Sequence, residues 1–123
     1  MKIGIGSDHG GYDLKQQIKD LLAARPEVEV TDFGTYGPES VDYPDFAIEV
    51  ARRVSDGTLE QGILICTTGV GMSMTANKYP RVRAAQVFTA HMARMAREHN
   101  NANILALGAA VTPAEEIPAS KRA

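Results

Sequence analysis

Hydrophobic positions along the chain follow two patterns, short apolar runs and longer stripes with the spacing of an α-helix. The run Gly62-Ile-Leu-Ile-Cys66 is continuous and of strand length, which is typical of a strand covered on both faces. The stripe Leu14, Ile18, Leu21, Leu22 has helical spacing and stops before Pro26, which favours a helix end there. These criteria predict strands at 2–6, 28–33, 62–66, 82–88 and 103–107. They predict helices at 14–22, 44–54 and 91–99, and a short helix between the loop 67–71 and residues 79–80.

Strands that alternate with helices build βαβ units, in which a right-handed crossover returns the chain to a parallel neighbour. The pattern therefore predicts an α/β protein with a five-stranded parallel sheet. We expect the domain to cover residues 1–112. Residues 113–123 hold two prolines and no apolar stripe, so we expect a short, loose tail there.

Composition narrows the class of protein. The chain has 123 residues, 44% hydrophobic and 23% charged, which suits one globular domain and excludes a disordered chain. Its formal charge of -2 gives no reason to expect a nucleic acid or a membrane surface as a partner. The single cysteine excludes an internal disulfide and a cysteine-rich zinc site. With no signal-like start and no apolar run of membrane length, we expect a cytoplasmic protein.

Three segments that could bind a ligand lie at the carboxyl ends of predicted strands. Open parallel sheets bind their ligands at these ends. They are Ser7–Gly11, Cys66–Gly71 and Gly108–Ala110. A dinucleotide site is excluded, because Gly4-Ile-Gly6 has His9 where the third glycine belongs, and no phosphate-binding Gly-x-x-x-x-Gly-Lys motif is present. No His, Asp and Glu set has metal-ligand spacing, so we expect no metal and no cofactor.

Each candidate residue has a structural alternative. A lone cysteine at a strand end is often a buried small hydrophobe. Cys66, however, precedes a loop and a helix N-terminus, a position that favours negative charge. Thr68 adds a hydroxyl close to Cys66 in the sequence. A cysteine thiolate beside backbone N–H donors would suit proton abstraction next to a carbonyl, because the donors can hold the oxygen that becomes negatively charged. Asp8 and His9 could instead cap the first helix, and His99 could interact only with a helix dipole. We expect Met72, Met74, Met92 and Met95 to pack in the interior.

Five motifs together resemble the ribose-5-phosphate isomerase B family, which includes the subunits of galactose-6-phosphate isomerase. They are SDHGG at 7–11, VDYPDFA at 41–47, CTTGVGMSMTANK at 66–78, VRAA at 82–85 and ARMAREHNNANILALG at 93–108. The resemblance, closest to the ribose-type branch, implies a Rossmann-like three-layer α/β/α sandwich. It also implies metal-free aldose–ketose isomerisation of a sugar phosphate through an enediolate, with active sites between the subunits of a homodimer or tetramer.

The resemblance also assigns roles to residues. Cys66 resembles the base that moves the proton between C2 and C1, and His99 with Asp8 resembles the group that opens the sugar ring. His9 and Asn100 occupy ligand-contacting positions. Thr68 and the backbone of the loop resemble the family's anion hole, which consists here of Thr67, Thr68, Gly69, Val70 and Gly71.

Three departures from the family pattern bear on the substrate. Thr67 replaces a glycine and would be strained at positive φ. Ala110 replaces an arginine that grips phosphate. The chain ends in Pro-Ala-Ser-Lys-Arg-Ala, where the family has a helix and a Gly-Gly-Arg-His-x-x-Arg segment whose arginines reach a phosphate. Ribose 5-phosphate is the first expectation for the substrate. The alternatives are a non-phosphorylated or differently charged sugar, and a weakly catalytic sugar-binding subunit.

Overall fold

The computed structural model describes residues 1–34, 43–67 and 69–110, and the expected tail and Thr68 lie outside them. The strands are β1 Lys2–Ser7, β2 Glu29–Asp32, β3 Gln61–Cys66, β4 Ala84–Val87 and β5 Ile104–Gly108. The helices are α1 Tyr12–Ala23, α2 Tyr43–Ser55, α3 Val70–Ala76 and α4 Ala90–Asn100, with a 3-10 turn at His9–Gly11 before α1. Every element predicted from the pattern is present. The 3-10 turn was not predicted.

The five strands form one sheet in the order β2-β1-β3-β5-β4, and every neighbouring pair is parallel. The chain leaves β1 towards β2 on one side and later returns to β3 on the other side of β1. This reversal opens a crevice at the carboxyl ends of β1 and β3, which is where open α/β sheets bind ligands. Ser7 and Cys66 are the last residues of these two strands.

Two separate hydrophobic clusters cover the two faces of the sheet. On one face, Ile18 and Leu22 of α1 and Ala93 and Ala96 of α4 pack with residues such as Ile5. The other face is covered by α2 and α3, through Val50, Val54, Met72 and Ala76 among others. The prediction of a three-layer α/β/α sandwich is therefore confirmed.

The side chain of Cys66 belongs to the face covered by α2 and α3, while its neighbour Ile65 points to the α1 and α4 face. Met72 is buried in the same cluster as Cys66. Met74, two residues further along α3, is 65% exposed, so the expectation that it packs in the interior is wrong. Residues two positions apart on an α-helix point in nearly opposite directions, so Met74 faces away from the side of α3 that buries Met72.

A buried ion pair joins α1 to the end of β2. Lys15 is fully buried, and its Nζ donates to both carboxylate oxygens of Asp32 at 2.8 and 2.9 Å. Lys19, one turn further along α1, donates to Asp32 Oδ2 at 2.8 Å. Burial alone would raise the pKa of Asp32, but hydrogen bonds from both lysines and from the Gly34 N–H outweigh it and lower that pKa below 3.8.

Among the described helices, α2 has the most residues, 13, and none has the length and apolar character that crossing a bilayer requires.

Candidate active site

Three segments meet at the carboxyl edge of the sheet and are held together by backbone hydrogen bonds. The Asp8 N–H donates to the Ile65 carbonyl at 3.2 Å, which joins the segment after β1 to β3. The Ala109 N–H donates to the Cys66 carbonyl at 2.7 Å, and the Ala110 N–H donates to the Thr67 carbonyl at 2.9 Å. Asp8, Cys66 and Thr67 are thus brought to one place by strands that are adjacent in the sheet.

The Cys66 thiol is buried, at 7% exposure, and its Sγ accepts a hydrogen bond from the Gly69 N–H at 3.0 Å. The packing alternative considered for this residue is therefore correct, and the catalytic role stays a prediction. The side chain packs among core residues, and it also has a donor directed at its sulfur. The contact ties the sulfur to the loop that follows β3.

Gly69 makes this contact because only glycine fits its position. Its φ is +87°, in the left-handed region that side chains rarely adopt. A Cβ there would lie 2.9 Å from the Ala106 carbonyl oxygen of β5. The glycine therefore lets the loop turn sharply against β5 and brings its N–H back to Cys66.

Thr67 is exposed at the mouth of the site and is not strained. Among the described non-glycine residues, positive φ occurs at Arg81 and Asn101, and Thr67 is not among them. The strain considered for a threonine at this position is absent, because the left-handed turn falls two residues later, at Gly69. The other hydroxyl proposed for the site, that of Thr68, lies outside the described residues.

Asp8 uses one carboxylate oxygen locally and leaves the other available. Its Oδ1 accepts from the Gly11 N–H at 3.0 Å, which holds the 3-10 turn that leads into α1. Within the described ranges, no hydrogen bond to Oδ2 is present. The capping alternative is therefore correct for one oxygen, and the second can bind a ligand. His9 follows in the turn, and its side chain is outside the described part.

The ion pair on α1 supports the same segment. The Gly34 N–H donates to Asp32 Oδ1 at 2.8 Å, and the Gly34 carbonyl accepts from the Ser7 N–H at 2.7 Å. Asp32 therefore holds Gly34 in place, and Gly34 in turn binds Ser7, which directly precedes Asp8. Sequence reasoning missed this support, although a signal was present: Lys15 lies on the same stripe of α1 as the buried Ile18 and Leu22.

His99 and Asn100 lie at the other end of the sheet. They end α4, and three residues lie between Asn100 and Ile104, where β5 begins. Cys66, by contrast, is in register with Gly108 at the end of β5. Ile104 and Gly108 are separated by about 13 Å at roughly 3.3 Å per residue. The structure therefore does not bring His99 or Asn100 to Cys66 within one chain.

A cleft of about 340 Å³ adjoins Asn100 at that far end, and its lining includes Asn77, Arg83 and Ala85. The Arg83 Nε donates to the Asn100 carbonyl at 2.5 Å, which fixes the end of α4 beside β4. This cleft holds none of the residues near Cys66. It belongs to the part of the molecule that presents His99 and Asn100, both of which are exposed.

Within residues 1–34, 43–67 and 69–110, no cluster of three or more His, Cys, Asp or Glu side chains could hold a metal ion.

A protein-family model described as "Ribose/Galactose Isomerase" matches residues 3–120 of the chain. The chain belongs to the ribose/galactose isomerase family. Membership confirms the resemblance found in the motifs and the prediction of an isomerase.

Three relatives illustrate the similarity. Ribose-5-phosphate isomerase B from Escherichia coli K12 is 45% identical over 114 residues, which are 93% of this chain and 76% of that protein. The structure of ribose-5-phosphate isomerase B from Clostridium thermocellum is 59% identical, with a TM-score of 0.90, over 94% of this chain and 78% of that one. The Mycoplasma genitalium ribose-5-phosphate isomerase B, solved with bound ribulose 5-phosphate, is 41% identical with a TM-score of 0.91. The match covers 98% of this chain and 80% of that one.

Proposed function

We propose that this protein is a metal-free aldose–ketose isomerase that interconverts ribose 5-phosphate and ribulose 5-phosphate. The observation that carries the proposal is the Cys66 thiol at the carboxyl end of β3, which accepts the Gly69 N–H and lies on the strand next to the one that ends before Asp8. The names of the relatives supply the sugar. The family's own description names ribose and galactose isomerases, so the sugar has to be tested.

The proposed chemistry moves one proton between neighbouring carbons. The Cys66 thiolate removes the proton from C2 of the open-chain aldose, and the electron pair moves towards the C1 carbonyl oxygen to give an enediolate. Thr68 and backbone N–H groups of the loop 67–71 hold the developing negative charge. The thiol then returns the proton to C1, and a proton moves between O2 and O1, which leaves the ketose.

Ring opening must precede this step, and we assign it to His99 with Asp8. Because His99 and Asn100 lie at the far end of the sheet from Cys66, we infer that a second copy of the chain brings them to the site. A homodimer is therefore the smallest active unit in the proposal, and a tetramer could be built from such dimers. His9 and Asn100 bind the substrate in this arrangement.

Exposed apolar side chains near Cys66 support association of two copies. Val70, at 43% exposure, and Met74, at 65%, lie one turn apart on α3, which begins directly after the loop that follows Cys66. Phe88, at 41% exposure, follows the end of β4 at the same edge of the sheet. A partner seated on these side chains would bury apolar surface beside the catalytic loop.

A coupled isomerase assay tests the proposal. Ribose 5-phosphate is offered beside free ribose, allose and psicose, with and without EDTA. We expect turnover of ribose 5-phosphate that EDTA does not change. Preferred turnover of an unphosphorylated sugar would overturn the choice of substrate, and inhibition by EDTA that added metal reverses would overturn the metal-free mechanism.

A second candidate function is isomerisation of an unphosphorylated or differently charged sugar, and Ala110 favours it. This residue is exposed, and its N–H is bonded to the Thr67 carbonyl, so its side chain stands at the rim of the site without a charge for a phosphate. If the phosphate end is weak, Ala110→Arg should lower KM for ribose 5-phosphate. Added salt should reduce that gain, and KM for a free sugar should not change.

The matched control is Ala110→Gln, which adds length without charge. An unchanged KM in Ala110→Arg, together with tight binding of ribose 5-phosphate by the unmodified protein, would show that another basic group already completes the phosphate site.

A further inference from the structure

The side chain of Thr67 occupies a position that the proposed chemistry does not use. That chemistry calls only on the backbone of the loop at this residue. The Thr67 Oγ1 lies over Gly10, 2.9 Å from the point where a Cβ on Gly10 would stand. Asp8 Oδ1 lies 3.4 Å from the same point. A hydroxyl from the loop after β3 and a carboxylate from the segment after β1 therefore converge on one small space.

Both oxygens have spare hydrogen-bonding capacity. Thr67 is exposed, and no described residue forms a hydrogen bond with its hydroxyl. Asp8 uses Oδ1 for the Gly11 N–H and keeps Oδ2. An ionised carboxylate only accepts hydrogen bonds, whereas a hydroxyl both donates and accepts. The pair is complementary to a group that donates to Asp8 and accepts from Thr67, which a sugar hydroxyl does and a phosphate dianion beside Asp8 does not.

We propose that the Thr67 side chain is a substrate-contacting group that, with Asp8, binds a hydroxyl of the sugar, and that Gly10 is required because it leaves room for the Thr67 hydroxyl. This inference rests on the proposed function for the identity of the ligand as a sugar. The Gly10 part rests on geometry alone: φ of Gly10 is outside the left-handed region, so the backbone accepts alanine and Thr67 Oγ1 is the obstacle.

Two substitutions separate hydrogen bonding from packing at Thr67. Thr67→Val keeps the shape and removes the hydroxyl, whereas Thr67→Ser keeps the hydroxyl and removes the methyl group. We expect kcat/KM for ribose 5-phosphate to fall roughly two- to tenfold in Thr67→Val, the range for loss of one uncharged hydrogen bond, mainly through KM. Thr67→Ser should stay within about twofold of the unmodified protein. The reverse order would assign Thr67 a packing role and overturn the proposal.

A double-mutant cycle tests the part played by Gly10. Gly10→Ala should displace the Thr67 hydroxyl and raise KM about as much as Thr67→Val does. In a Thr67→Gly background, where the obstacle is absent, adding Gly10→Ala should change KM little. Equal effects of Gly10→Ala in both backgrounds would show that the two residues are not coupled.

Binding measurements keep this inference distinct from the proposed function. If the unmodified protein turns over none of the sugars, calorimetric binding of ribose 5-phosphate and of free ribose replaces KM. Weaker binding by Thr67→Val would then uphold the contact while the isomerase proposal fails. Equal affinity of the two proteins, or no binding of either sugar to the unmodified protein, would overturn the contact.

Discussion

Cys66 packs in the core and is also the proposed base, and substitution can separate the two roles. Cys66→Ser keeps the size of the side chain and a partner for the Gly69 N–H, so the free energy of unfolding should change by no more than about 1 kcal/mol. A serine hydroxyl is a much poorer base than a thiolate, so kcat should fall by about two to four powers of ten.

Stopped assays and a urea unfolding curve on the same preparation check both halves of that prediction. Cys66→Ala is the control that removes the acceptor as well as the base. Turnover close to normal in Cys66→Ser, with a normal unfolding curve, would mean that another group removes the C2 proton.

Gly69 and Gly57 form a matched pair for measuring how much the loop depends on its turn. Both have φ of +87°, but a Cβ on Gly69 would meet the Ala106 carbonyl oxygen, whereas a Cβ on Gly57 would meet nothing within 4 Å. Gly57→Ala should therefore lower the free energy of unfolding only by the left-handed penalty, about 1–2 kcal/mol.

Gly69→Ala should lower the free energy of unfolding by about 1 kcal/mol more than Gly57→Ala does, because crowding against Ala106 adds to the cost of the left-handed backbone. It should also reduce kcat, because the N–H that donates to Cys66 would move. Equal stability losses in urea unfolding of the two variants would contradict the crowding at Gly69.

The residues of the site were predictable to different degrees. Asp8 follows the first predicted strand and Cys66 ends the third, so the parallel-sheet rule was enough to place them at one edge. Gly10 was not predictable as a partner of Thr67, because that contact depends on the register of β1 against β3 and on the 3-10 turn. Periodicity carries no information on either feature.

At the scale of the elements, the contact between α1 and β2 depends on one carboxylate. Asp32→Asn would remove a carboxylate that pairs with the buried Lys15 ammonium, and breaking a buried ion pair costs roughly 3–5 kcal/mol of unfolding free energy. Lys19→Met is the matched control, because Lys19 is one-third exposed and its pair with Asp32 should contribute under about 1 kcal/mol.

The pH dependence of that contact has a defined sign. The pKa of Asp32 is lowered below 3.8 in the folded chain, because hydrogen bonds from Lys15, Lys19 and Gly34 outweigh burial. The ionised carboxylate thus stabilises the fold fully above its unfolded pKa, and this stabilisation is lost as pH falls through the lowered value. Urea unfolding at pH 7 and at successive values below pH 4 should show the wild-type advantage over Asp32→Asn shrinking. A constant difference over that range would contradict the role of the charge.

The elements themselves were largely predictable, since apolar runs and helical stripes each had one consistent interpretation. Their ends were less so. The strand expected at 82–88 is β4, Ala84–Val87, because the left-handed residue Arg81 and the pairing of the Arg83 N–H with the Asn103 side chain shape the segment before it. Such side-chain partners come from distant parts of the sequence and leave no local pattern.

At the scale of the whole molecule, the separation of Cys66 from His99 makes the proposed site a property of two chains. In a symmetric dimer, each site would contain Cys66 of one protomer and His99 of its partner. Cys66→Ser and His99→Asn homodimers should both have low turnover. A mixed dimer of the two variants keeps one site in which both residues are unmodified, because both substitutions fall together in the other site.

Co-expression of the two variants with different affinity tags therefore gives a decisive measurement. Random pairing makes half of the dimers mixed, each with one intact site, so the unfractionated mixture should recover about one quarter of the unmodified turnover. The purified mixed dimer should recover about one half. Cys66→Ser paired with Cys66→Ala is the control, since neither site of that dimer has the thiol, and it should recover nothing. Failure of a verified Cys66→Ser/His99→Asn dimer to regain turnover would place His99 outside the site, and the ring-opening group would then have to come from the Cys66 end of the same chain.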